Sequence, residues 1–145
     1  MRRRKRIATH ARSNHAKRLA PPAWVGEVAA DVRTLFGVPS KRLLILWRTG
    51  TNRYSSGHSK SGTGEIVITA GRDEWDQGVV VLHELAHWLN RRGTAHRKPF
   101  WTTFWQLVEH FGLDMAAVLK AEAETRGQVK AATVYAERRA KNATR

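Results

Sequence analysis

Apolar residues recur three or four apart from Trp24 to Phe36, at Trp24, Val25, Val28, Ala29, Val32, Leu35 and Phe36, before Gly37 and Pro39 end the pattern. That spacing predicts a first amphipathic helix. The period then changes. Arg42 to Arg48 encloses Leu-Leu-Ile-Leu-Trp, an unbroken apolar run of the length a buried strand shows. Tyr54 to His58 gives a weaker strand signal, Ser59 to Gly64 is loop or hairpin chemistry, and Glu65 to Thr69 reads as a third strand. Helical spacing returns with Val79, Val80, Val81, Leu82, Leu85, Trp88 and Leu89, capped by Asp73 or Asp76 and ending at Arg91 and Arg92 before Gly93. Its apolar groups are expected mostly on one side, giving a dry back and a polar front. Pro99 suits the first turn of a helix running to Phe111, with Phe100, Phe104, Leu107, Val108 and Phe111 in one stripe and Gly112 as its stop. Asp114 can cap a further helix through Leu119 and beyond. Strands gathered early and helices late predict an α+β domain with an N-terminal helix and a small three-stranded sheet.

Composition sharpens this picture. The chain has 145 residues, 41% of them hydrophobic, enough to build one core without staples, and it has no cysteine. Cysteine-based metal sites and thiol nucleophiles are thereby excluded. The longest apolar runs are far too short to cross a bilayer, so no membrane partner is expected. The basic start lacks the apolar segment of a secretory signal, which points to a cytoplasmic protein of a bacterium or a phage-infected cell, with an Arg-rich, acid-free organelle transit peptide as the weaker alternative.

The formal net charge of +14 is unevenly placed. Arg2, Arg3, Arg4, Lys5, Arg6, Arg12, Lys17 and Arg18 all precede Pro21, with no acidic residue among the first twenty-six. Like charges repel and little apolar material is present to bury, so residues 1–22 are expected to form a disordered basic arm. Those eight cations are candidates for contact with DNA phosphates. The folded domain is expected over 23–126. Residues 127–145, basic at Arg138, Arg139, Lys141 and Arg145, read as a tail that is partly helical.

The chemistry concentrates at His83-Glu84-Leu85-Ala86-His87. At about 100° per residue, His83 and His87 lie within about 40° of one another on one helix face, so two imidazoles can share an ion. Catalytic zinc takes three protein ligands and keeps a fourth position for water, which requires a further ligand downstream. His96 is the first candidate. Glu109 is the rival, although it falls about 180° from Phe100 on the same helix. Glu84, directly after the first histidine, is the candidate general base. His110 reads as a surface histidine, and Tyr54, His58 and Tyr135 are candidate oxyanion donors. Trp101 and Trp105, at the edge of the aromatic stripe, could stack on unpaired bases or pack in the core.

The segments Val80 to Asn90 and Gly93 to Leu113 resemble the SprT-like (Spartan-type) zinc metallopeptidases, and the likeness extends from about Tyr54 through Ser55-Ser56-Gly57 and the Ile-rich strand. The resemblance implies a minimal zincin domain, lacking the zinc ribbon that many members carry, with an active-site helix followed by a packing helix. It also implies one zinc ion per chain on His83, His87 and His96, with Glu84 as general base. The implied activity is hydrolysis of protein substrates, near DNA in characterised members. Two other readings compete. One is a non-catalytic nucleic-acid-binding or virion-associated protein on the same scaffold. The other is an ImmA-type regulatory peptidase, which takes an acidic third ligand.

Overall fold

The computed structural model describes residues 18–60, 63–90 and 96–124. Helix α1 spans Ala23–Phe36 and ends at Gly37, whose positive φ of 64° lets its amide reach back to the last turn. Strands β2 (Leu44–Thr49), β3 (Ser56–Lys60) and β4 (Glu65–Ala70) follow, then α2 (Glu74–Leu89), α3 (Lys98–His110) and α4 (Met115–Glu124). The α+β class and the N-terminal helix agree with the sequence pattern.

The three expected strands form a mixed sheet in the order β2-β4-β3, with β2 parallel and β3 antiparallel to β4. A fourth, two-residue strand, β1 (Arg18–Leu19), pairs antiparallel to β2 with Arg18 opposite Arg48 and Leu19 opposite Trp47. This corrects the arm boundary, because the sheet edge supplies backbone partners that the composition of the arm gives no hint of. Residues 1–17 and 125–145 lie outside the described residues, and with them most of the expected arm and the whole tail.

One face of the sheet carries Trp47, Ile66, Ile68 and Ala70 into the core, where α2 packs over β3 and β4. Helix α3 packs on α2, and α4 on α3. Helix α1 joins the same core through Val25 and Val32, its Trp24 meeting Trp47 edge-on at 6.1 Å. Arg33 of α1 donates to the carbonyls of Val38, Pro39 and Lys41, and its guanidinium lies 5.3 Å from the Trp88 ring centre.

The expected one-sided α2 is corrected by its surroundings. Val79 to Ala86 are all buried, histidine and glutamate included, because the sheet covers one side and α3 another. Asp73 is the N-cap, its side chain accepting from the amide of Asp76 at 3.2 Å. The helix also stops earlier than expected, at Leu89. Asn90 turns extended, its amide reaching Ala86 O and His87 O while its side chain donates to Ala86 O at 2.7 Å. That side chain also reaches Thr103 of α3 at 3.1 Å, so the stop is tied to the next helix.

Candidate metal centre

Helix α2 presents His83 and His87 one turn apart, and the turn that leads into α3 brings His96 against both. Nε2 of His96 lies 2.9 Å from Nε2 of His83 and 3.2 Å from Nε2 of His87. These three are the residues able to hold a metal ion together among those described. His83 is buried, and the other two are half-buried.

Three imidazole nitrogens that face one another need either a shared proton or a cation between their lone pairs. Protonation of His87 and His96 is disfavoured here. Burial, then the charges of His83 and His96, push His87 down to about 3 from its usual 6.5. His96 is lowered too, by burial and by His83, with Glu122 opposing. Neutral imidazoles with converging lone pairs are the state in which histidine ligates a metal.

The surrounding packing holds this convergence. Phe100, fully buried at the start of α3, sits under all three rings, with centroids 4.7, 4.3 and 4.9 Å from His83, His87 and His96. Trp101 donates its indole N–H to the carbonyl of His96 at 2.8 Å and so fixes the backbone there. Pro99 at the helix start preorganises that turn.

Glu84 follows His83, about 100° further round the helix. It is buried against β3, where a Cβ added to Gly57 would come within 2.9 Å of Glu84 Cγ. Glycine at this position lets the strand approach the helix. The start of β3 is anchored to the same helix by a knot of polar groups. The amide of Ser55 donates to the buried Asp76 carboxylate, Ser55 Oγ accepts from Gly71 N at 2.8 Å, and Gln77 donates to Gly71 O at 2.7 Å. Asp76 therefore serves this knot, and the capping role falls to Asp73.

No family model matches the chain, and no curated protein or solved structure matches it either. The chemistry of the site therefore stands on its own geometry.

Several sequence candidates lie elsewhere. Glu109 is exposed on α3 and outside the cluster, as its position off the apolar stripe predicts. His110 is exposed and pairs with Asp31 at 2.9 Å. Trp101 and Trp105 are 0% and 1% exposed, so packing between helices, and not base stacking, accounts for them. Tyr54 is half-exposed on the loop before β3, and His58 alternates away from the face on which Gly57 meets Glu84. Arg18 lies in β1, while Arg2, Arg3, Arg4, Lys5, Arg6, Arg12, Lys17 and Tyr135 fall outside the described residues.

One residue escaped the sequence reading. Glu122 of α4 is 0% exposed, and its two carboxylate oxygens lie 3.1 and 3.2 Å from His83 Nδ1. The signal was present, since Met115, Val118, Leu119 and Glu122 follow the i, i+3, i+4, i+7 spacing of one helix face. A carboxylate at the fourth position of an apolar stripe is out of place unless something inside needs it.

Proposed function

We propose that this protein is a zinc-dependent metallopeptidase. The observation that carries the reading is the convergence of three imidazole Nε2 atoms beside a buried glutamate. Zinc fits that donor set. Ligands at 2.0–2.1 Å in a tetrahedral arrangement stand about 3.3–3.4 Å apart, close to the 2.9 and 3.2 Å spacings between the histidines. Three nitrogen donors also match a catalytic site, which keeps one position for water, better than a structural one closed by four protein ligands.

When bound, the ion supplies a Lewis acid that polarises a carbonyl and lowers the pKa of water. His83, His87 and His96 would hold it. The Glu84 carboxylate takes the proton of the attacking water and returns it to the leaving amine, a role that a metal site built only for stability does not require. A peptide as substrate is supported by β3. Among the described residues it is an edge strand, passing Glu84 at Gly57, and an extended chain can pair with its unpartnered side. The histidine third ligand favours this class over the ImmA-type zincins.

The net charge of +14 supports a second element, substrates met on or near DNA. The same charge would serve a non-catalytic binding protein, and Glu84 separates the two. Glu84→Gln is nearly isosteric but cannot accept the proton. It is expected to keep about one zinc per chain and to lose about 10²–10⁴-fold in cleavage of an unfolded protein. Wild-type cleavage by that variant, or full activity in zinc-free protein, would remove the mechanism. His96→Ala is expected to lose zinc and Glu109→Ala to retain it, as read by metal analysis of the purified chains.

A further inference from the structure

We propose that Glu122 is a positioning residue for the metal centre, holding His83 in the tautomer and orientation that ligation requires. The inference rests on the zinc reading above only in that the three histidines hold an ion.

The position is costly for a carboxylate. Glu122 is fully buried on a face otherwise built from Met115, Val118 and Leu119, and a buried carboxyl group is destabilising unless a polar partner compensates it. An apolar side chain would complete the stripe at no such cost. What the carboxylate does instead is meet one atom of one histidine with both of its oxygens, at 3.1 and 3.2 Å.

That contact decides the chemistry of the ring. A carboxylate accepts, so a neutral ring at His83 has its proton on Nδ1, donated to Glu122, and its lone pair on Nε2. Nε2 is the atom that faces His96 at 2.9 Å. The ring is further flanked by Phe100 and Phe104, at centroid distances of 4.7 and 5.6 Å, so it is held by packing as well as by its Nδ1 edge. The negative charge also makes the ring a better donor and partly offsets a dication placed among three neutral ligands. Helix α4 thus becomes part of the site, although it contributes no ligand. The motif helix alone sets the spacing of His83 and His87 but leaves the tautomer of His83 open.

The test compares the full-length wild type with Glu122→Gln and Glu122→Ala. Zinc affinity is measured by competition with a chromophoric chelator, alongside the thermal unfolding of each metal-free chain. Glutamine retains shape and an acceptor oxygen while removing the charge. It is expected to bind zinc about 10- to 100-fold more weakly, with alanine at least as weak. A purely structural glutamate would give the opposite pattern, lower thermal stability with unchanged zinc affinity, and that result would overturn the proposal. A second measurement uses the wild type alone, so that a poorly folding variant leaves the proposal testable. Long-range proton–nitrogen spectra of the zinc-loaded chain should show His83 with its proton on Nδ1 and the metal on Nε2. The reverse assignment would also overturn it. A wild type that binds no zinc removes the metallopeptidase reading itself, whereas tight zinc binding by both wild type and Glu122→Gln removes this inference alone.

Discussion

His87 shows how the site is tuned residue by residue. Its ring stacks on Phe100 at 4.3 Å with two imidazoles beside it, and its pKa falls to about 3 against 6.5 when unperturbed. Above 6.5 the imidazole is neutral in both folded and unfolded chains and contributes no pH dependence. Between 6.5 and about 3 the unfolded chain takes up a proton that the folded one refuses, so stability is lost as the pH falls through that window. Metal-free wild type is therefore expected to show a urea midpoint that declines from pH 7 to pH 4 more steeply than that of His87→Gln, measured in parallel. Parallel declines would mean that His87 titrates normally in the fold. At this scale much was legible: a histidine pair with an adjacent glutamate needs only helix geometry to be read. For Glu122 the stripe was legible but not the partner, which lies 39 positions away in the chain and is brought to it only by packing.

Among the elements, β3 and α2 matter most to the chemistry. Their closeness depends on Gly57, where an added Cβ would also lie 3.1 Å from Ile68 Cδ1 and 3.1 Å from the Val67 carbonyl. Something must then give way, and the buried Glu84 stem is nearest. Gly57→Ala is expected to cost about 1–3 kcal/mol of stability by overpacking and to lower peptidase activity, with zinc content still near one per chain. Wild-type activity in that variant would show that β3 can retreat from Glu84 without consequence. The elements themselves were largely predictable, since periods of two and 3.6 residues are local properties. Their ends were less so. Helix α2 stops at Leu89 because Asn90 bonds back to Ala86 and across to Thr103. A sequence shows the asparagine but not the helix it will meet.

For the whole molecule, charge is the dominant global property, with 26 Lys and Arg against 12 Asp and Glu. Each cation that neutralises a phosphate on duplex DNA adds about 0.9 to the salt slope of binding, so an arm making even four contacts gives a steep dependence. Strand β1 sets where such an arm can be cut: removing residues 2–17 spares Arg18 and Leu19 in the sheet. That deletion is expected to flatten the salt dependence of DNA binding while leaving cleavage of an unfolded protein nearly unchanged. An unaltered salt slope would assign binding to the folded domain, where Tyr54 and Trp75, 50% and 38% exposed, are the exposed large aromatic residues among those described, and not Trp101 or Trp105.

What the chain determined by itself was whatever depends on neighbours in sequence. The α+β class, the helix carrying His83 and His87, the aromatic stripe of α3 and the charge imbalance follow from spacing and composition, which the polymer carries before it folds. Tertiary structure decided the rest. His96 meets His83 and His87 because Phe100 and Trp101 hold it there, Glu84 becomes buried because Gly57 lets a strand approach, and Glu122 finds His83 because α4 packs on α3. Each of these is a contact between segments distant in sequence or a constraint from side-chain packing, and a local period, even one as plain as the stripe that holds Glu122, does not say which segment it will meet.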